Sequence, residues 1–402
     1  MDGYSLFHTS RRYFSVVAVQ HSGYEHIMIN QPEVGLLGYV VAKEADTNYW
    51  LVQDKREPGN KVLSQVAPSV QATKSNSERV HGGRSTPYLD LFNKSYPLDF
   101  DVENSEQGDR FLNKFNRNAK RLVRERFSIN EDLQHQYRWV ESSKIRDLLR
   151  RDFAVNTDAR SVFTCGGWQL LCPQPEEIFL SNDLPRLLAR GLNHSFIHRD
   201  RARTSVLHKP LEDGFENRMA ESTTLPLSLM KQHRIEADGI YDRDNRRVIG
   251  YFDVYMPERE ISRWQQPLLE QSEIAQCVLL MRVLDGIAEI GVKVYPEIGF
   301  RGRSEYGPTL QTGIGTNKLT SDRIEGLLEN AIVLLEVYQS DEGGRFYQNI
   351  CRYTLAYLEN ALTDIDEHVH WFSAYEIEIM SHRQGYLSNE LRTCLSLLLS
   401  FA

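Results

Sequence analysis

Hydrophobic and polar positions along the chain follow two periods, and the same order of periods occurs twice. Apolar, β-branched runs at 34–42 and 274–283 predict strands, and Gly/Pro-bearing loops at 57–68 and 297–308 interrupt a second pair of strands. A helical period follows a tryptophan in each half. After Trp139, Ser142 is placed to cap a helix with Ile145, Leu148 and Leu149 on one face. After Trp371, Ser373 is placed likewise before Ile377 and Met380. Segments 85–104, 320–339, 118–124 and 351–358 carry no decisive period. Mixed strands with terminal helices in each half predict two α+β domains.

The two halves are copies. Residues 31–71 align with 271–311 at a constant offset of 240, with 8 identities in 41 positions. Among them Glu57 meets Glu297, Gly59 meets Gly299, Pro68 meets Pro308 and Gln71 meets Gln311. SEQGDRF (105–111) matches SDEGGRF (340–346) at offset 235. Trp139, Ile145 and Arg160 meet Trp371, Ile377 and Arg392 at offset 232, and Tyr13-Phe14 meets Tyr251-Phe252 at offset 238. Hydrophobic patterning alone does not reproduce glycine, proline and arginine positions in order, so we read an internal duplication. The expected division is a first domain at 1–195, a polar and aperiodic linker at 196–224, and a second domain at 225–402. Only twelve residues precede Tyr13, whereas 225–250 lead into Tyr251, so the first domain is expected to have a shortened opening element.

Composition narrows the class. With 41% hydrophobic and 25% charged residues over 402 positions, the chain has the make-up of a globular protein. Its 47 basic and 55 acidic residues leave a net charge of −8, which argues against a nucleic-acid coat or a polybasic membrane binder. No apolar run reaches the roughly 18–20 residues that span a bilayer, and the start lacks the order of a secretory signal. Five cysteines without CxxC spacing predict neither disulfides nor structural zinc. The expectation is a reduced, cytoplasmic protein that contacts neither membrane nor nucleic acid. Phosphate-loop, dinucleotide, zincin and hydrolase-elbow signatures are absent. His194 and His198, at i and i+4, have no third ligand nearby and read as packing residues, as do His368 and His370.

Polar residues concentrate between 53 and 117. QDKREPGN (53–60) places Lys55, Arg56 and Glu57 before a Pro-Gly turn. VQATKSNSERVHGG (70–83) adds Gln71, Lys74, Arg79 and His81, and SEQGDRFLNKFNRN (105–118) adds Arg110, Asn116 and Arg117. Paired arginine donors with glycine-rich loop amides suit a diphosphate. The second copy retains Glu297, Tyr306, Gln311 and Arg345, but Tyr295 stands opposite Lys55 and nothing like RVHGG follows Gln311. This asymmetric loss places catalysis in the first half, with no metal.

These blocks resemble the NDP-hexose 2,3-dehydratases of deoxysugar and antibiotic biosynthesis. The resemblance rests on QPEVGLLGYVV, QDKREPGN, SVQATKSNSERVHGG with TPYLDLF, SEQGDRFLNKFNRN and VNTDARSV in the first half. SRWQQPLLEQ, GPTLQT and SDEGGRFYQNICRY carry it in the second. It implies a duplicated Nudix-like fold, a homodimer, and a dTDP-4-keto-6-deoxyhexose substrate converted to its 3,4-diketo-2,6-dideoxy form, handed on to a 3-ketoreductase. No Nudix box occurs, so metal-dependent hydrolysis is not implied. No hydride leaves the substrate overall, so no cofactor is required. The chemistry needs a base, chosen among His81, Glu57 and Tyr88, and a donor to the carbon-4 oxygen, Lys55 or Arg79. Gln71, Arg79, Arg110, Asn116, Arg117, Trp264, Tyr306, Gln311 and Arg345 are the expected substrate-binding residues. The competing readings are a Nudix-like nucleotide-sugar hydrolase and a non-catalytic nucleotide-sugar-binding protein.

Overall fold

The computed structural model describes residues 5–7, 13–73, 86–93, 97–172, 177–216, 222–257, 262–300, 304–312, 326–359 and 368–402. Each half contributes one large mixed sheet and one small sheet. In the first half, strand Gly35–Glu44 lies between Thr47–Lys55, antiparallel, and Phe115–Val123, parallel. Tyr137–Glu141 and Phe100–Ser105 take the flanks, and Gln65–Ala67 and Val70–Ala72 add to the sheet. In the second half, Ala275–Leu284 lies between Ile287–Tyr295 and Ile350–Leu358 with the same directions. Ile332–Ser340, Glu305–Pro308, Leu310–Gln311 and His370–Ser373 take the corresponding places. The parallel pair in each sheet is what the long connections 45–114 and 285–349 allow, since a tight hairpin cannot make one. Segments 118–124 and 351–358, undecided from periodicity, are strands whose two faces are both covered, which erases the alternation.

The small sheets carry the contact between halves. Ser15–His21, Tyr24–Asn30 and Phe111–Leu112 pack against Arg247–Tyr255, Arg263–Glu270 and Phe346–Tyr347. The shared apolar cluster includes Val16, Ala18, Ile29, Ile249 and Leu269. The rings of Phe111 and Phe346, equivalent in the repeat, meet edge-on at 5.5 Å. Within the stretch expected to be a linker, Lys209–Glu216 is helical. The last two residues of that stretch, Thr223 and Thr224, open the strand Thr223–Leu225, which pairs antiparallel with Ser15–His21.

Two buried helices, Thr157–Thr164 and Asn389–Leu399, lie between the large sheets. Asn156 caps the first, accepting from Ala159 N at 2.8 Å, and Ser388 caps the second. They are tied crosswise: Arg160 donates to Ser396 Oγ at 3.0 Å and Arg392 to Ser161 Oγ at 2.7 Å. Of the two caps expected from sequence, Ser373 forms a capping box with Glu376. Ser142 does not cap. It is the first residue of helix Ser142–Leu149, and its hydroxyl accepts from the indole of Trp50 at 2.9 Å. Burying that indole N–H requires a partner, and Ser142 supplies it. All five cysteines are buried and free of disulfides. Among the described residues no helix is long and apolar enough to cross a membrane.

Candidate functional site

The loop after each second strand of the large sheet docks on the other half. Gly59 N donates to Gly343 O at 2.8 Å, and its equivalent Gly299 N donates to Gly108 O at 2.8 Å. Arg345 donates to Gln31 Oε1 at 2.6 Å, and Arg110 to Gln271 Oε1 at 2.7 Å. Gln31 and Gln271 are themselves equivalent at offset 240. The same partner types at the same repeat positions mean that the halves share one arrangement. Each cluster is therefore built from both halves.

In the first cluster Lys55 Nζ lies 3.0 Å from Glu57 Oε1, with the Glu57 side chain almost wholly buried. Gln71 Nε2 stands 3.5 Å from the same oxygen, and Asn156 Nδ2 donates to Gln71 Oε1 at 3.2 Å. Asp158, the second residue of the helix and 2% exposed, feels Glu342, Glu106, Lys55 and Glu57, so it belongs to the same group. Burial, reinforced by the neighbouring carboxylates, pushes the Asp158 carboxyl well up. Glu106 is also pushed up by burial, against the pull of Arg392; it accepts from Asn116 at 2.6 Å and from Asn389 at 3.1 Å. Lys114, held between Arg345, Glu106 and Glu342, is pushed down by burial first and by Arg345 second.

The second cluster lacks the lysine. Tyr295 takes its place, and its hydroxyl lies 3.3 Å from Pro308 O. Gln311 donates to Glu297 Oε1 at 2.9 Å. Burial pushes Glu297 well up, with Glu390, Asp109 and Glu305 adding to it. Glu390, equivalent to Asp158 at offset 232, is raised to about 7 by burial and then by Asp109, and Asp341 to about 6 by burial. Buried side-chain oxygens of Glu297, Gln311 and Glu390 have no hydrogen-bond partner among the described residues. The first cluster thus sets Lys55 beside Glu57, and the second sets Gln311 beside Glu297 among carboxyls that burial pushes up.

A carboxyl whose folded-state pKa exceeds its unfolded value binds its proton more tightly in the native state. Its contribution to stability is therefore lost as pH rises from the unfolded value, near 4.5, through the folded one, about 7 for Glu390. Glu390→Gln is expected to raise unfolding free energy at pH 8 by roughly 1–3 kcal/mol and to flatten the stability profile between about pH 5 and pH 8. Urea unfolding at both pH values measures this, and an unchanged slope with pH would contradict it.

The expected site residues divide as follows. Lys55, Glu57, Gln71 and Asn116 gather in the first cluster, with Arg345 reaching it from the other half. Gln311 and Arg110 stand at the second cluster, with Arg110 buried and also 3.3 Å from Asp109. Arg117 is not brought to either cluster. It sits on the opposite face of its strand from Asn116 and forms a paired ion bridge with Asp101 at 2.6 Å. Tyr88 packs against Phe127 and Tyr137 on the outer face of the first large sheet, at ring distances of 5.7 and 5.1 Å. Tyr306 is a fully buried packing residue whose hydroxyl donates to Leu207 O at 2.7 Å. Trp264 lies on Arg263–Glu270 and donates to Gln266 at 2.7 Å. Lys74, Arg79 and His81 lie outside the described residues. Reading the sequence missed Asp158, Asn156, Glu106, Glu342 and their counterparts Glu390 and Asp341. The repeat offered a signal, because Glu106 aligns with Asp341 and Asp158 with Glu390 as acids.

Two interlocked copies of a mixed-sheet unit, one with a Lys55–Glu57 pair and one with Tyr295 and Glu297 in those places, describe an internally duplicated α+β protein. The chain belongs to the NDP-hexose 2,3-dehydratase family, which it matches over residues 1–165 and 205–398. It is 30% identical over 369 residues to the dTDP-4-dehydro-6-deoxy-α-D-glucopyranose 2,3-dehydratase of Saccharopolyspora spinosa, covering 87% of this chain and 74% of that protein. Proteins of the same name from Amycolatopsis orientalis and Streptomyces violaceoruber are each 29% identical. The first match covers 98% of this chain and 82% of the relative, the second 97% and 87%.

Proposed function

We propose that this protein removes water across carbons 2 and 3 of a dTDP-4-keto-6-deoxyhexose, using the first cluster as its catalytic centre. Family membership over most of the chain supports the reaction, and the Lys55–Glu57 pair beside Asp158, whose carboxyl burial pushes up, supports the location. The ketone at carbon 4 acidifies the hydrogen on carbon 3. Glu57 takes that proton while Lys55 donates to the carbon-4 oxygen as charge builds there. The electron pair then expels the carbon-2 hydroxyl, which leaves as water with the proton of Asp158. The resulting enol loses its hydroxyl proton and gains one at carbon 2, giving the 3,4-diketo-2,6-dideoxy sugar. Electrons stay within the substrate, so neither a hydride carrier nor a metal is invoked. His81 and Arg79, on the segment following Gln71, remain the alternative base and alternative oxyanion donor. The reading extends to a Nudix-like origin of each copy, a homodimer in a reducing cytoplasm, and consumption of the reactive diketone by a 3-ketoreductase.

The test is incubation with the 4-keto-6-deoxy sugar nucleotide, a 3-ketoreductase and its reductant, followed by mass spectrometry. A 2-deoxy sugar nucleotide is the expected product. Release of dTMP would instead identify a hydrolase, and binding without any new product a binding protein.

A further inference from the structure

The first cluster contains a chain of donors whose direction is set by the backbone. Ala159 N–H, at the first turn of Thr157–Thr164, donates to Asn156 Oδ1 at 2.8 Å. That bond leaves Asn156 only its amide nitrogen to offer, and Nδ2 donates to Gln71 Oε1 at 3.2 Å. Gln71 must then turn its own nitrogen toward Glu57 Oε1, at 3.5 Å, where Lys55 also arrives at 3.0 Å. An amide side chain has two faces, acceptor and donor, and nothing in its shape selects between them; the network does. Here selection starts from a helix N–H that cannot be reversed.

The second copy shows the arrangement without that device. Ser388 takes the place of Asn156 and still caps its helix, accepting from Leu391 N at 3.3 Å. A hydroxyl on one carbon is too short to reach onward, and Gln311 Oε1 is buried with no partner among the described residues. Gln311 closes on Glu297 to 2.9 Å, against 3.5 Å for Gln71 and Glu57. Asn156 therefore holds Gln71 back from Glu57 and sets its polarity.

We propose that Asn156 is a positioning residue that fixes the Gln71 amide with its nitrogen toward Glu57, keeping Glu57 a carboxylate paired with Lys55 and ready to accept a proton. The inference rests on the assignment of the first cluster as the catalytic centre. Without Asn156 the Gln71 amide can rotate and present its oxygen, and two facing oxygens are compatible only if Glu57 takes up a proton. Glu57 would then lose its capacity as a base over part of the working pH range.

Asn156→Ser tests this with the cap retained, as the second copy retains it. Asn156→Asp also caps the helix but cannot donate to Gln71. Asn156→Ser is expected to keep the wild-type melting temperature, and both variants the dTDP affinity. Both should lose about 3- to 10-fold in kcat, in the range of one neutral hydrogen bond, and move the acid limb of the kcat–pH profile upward. Ser388→Asn, in the second copy, should change none of these. Unchanged kcat and an unmoved acid limb in an active wild-type background would overturn the role of Asn156 and leave the dehydratase reading intact. Loss of activity together with loss of dTDP binding, or of thermal stability in Asn156→Ser, would also overturn it, by making Asn156 merely structural. If the wild type makes no 2-deoxy product, the dehydratase reading falls. The inference is then decided by carboxyl-13C glutamate NMR, with the Glu57 signal assigned by Glu57→Gln. Glu57 should titrate at higher pH in Asn156→Ser, and identical titrations would refute it.

Discussion

Lys55→Met is expected to lower turnover of the 4-keto sugar by roughly 10²–10³-fold, the loss typical of removing one donor from a developing oxyanion. The ammonium has two partners to serve. At rest it lies 3.0 Å from Glu57, and in the proposed mechanism it meets the carbon-4 oxygen in the transition state as the proton leaves carbon 3. Methionine keeps the length of the stem and its packing but supplies neither interaction. Glu57→Gln removes the proton acceptor alone, keeps the shape, and should cost about 10²-fold or more. Because both changes act on the transition state, kcat should fall while dTDP affinity, measured by calorimetry, stays near the wild-type value. Glu297→Gln should cost far less, since burial pushes that carboxyl up and, among the described residues, Tyr295 rather than a lysine stands at the position equivalent to Lys55. The comparison is decisive in either direction. If Glu297→Gln proves the most damaging of the three, catalysis belongs to the other half. If Lys55→Met keeps full activity, Arg79 is the better candidate for the oxyanion donor.

How far the chain could be read in advance depended on what each residue packs against. The repeat was legible because Glu57, Gly59 and Gln71 and their counterparts serve geometry that both copies need. Constant spacing survives where the backbone path survives. The lysine–carboxylate centre was legible for the same reason, as a position where the copies differ, Lys55 against Tyr295. Helix Thr157–Thr164 was not legible. All eight of its residues are buried, so no polar face marks its period, and Asp158 and Arg160 sit in the interior only because partners satisfy or neutralise them. Arg117 was misplaced because basic residues were counted without regard to side. Alternation along Phe115–Val123 sends Asn116 inward and Arg117 out to Asp101. The sequence orders the copies in series and carries no mark of their interlocking, which depends on contacts such as Arg110–Gln271 and Arg345–Gln31, 161 and 314 residues apart.

That interlocking makes Gly59→Ala strongly destabilising. A β-carbon there would collide with the carbonyl of Phe346 and come within 2.9 Å of Gly343 O. Both are backbone atoms of the opposite half, so no side chain can swing aside to relieve the clash. The position is also fixed by two backbone bonds, Gly59 N to Gly343 O at 2.8 Å and Gln348 N to Gly59 O at 2.7 Å. Relief requires moving one loop away from the other, giving up these bonds and the nearby Arg345–Gln31 tie. The expected cost is roughly 3 kcal/mol or more. Gly299→Ala meets the carbonyl of Phe111 and Gly108 O at 2.7 Å in the equivalent place, so its cost should be similar. The two should differ in activity. Gly59 is two residues from Glu57, and displacing its loop pulls the carboxylate from Lys55. Gly299 displaces Glu297, which takes no part in the proposed chemistry. Scanning calorimetry and turnover on both variants test the pair of statements together. Wild type should unfold in one transition, because neither copy keeps its loop in place without the other. Two separate transitions, each perturbed by only one glycine variant, would show that the copies are independent and that the first cluster does not need its partner half.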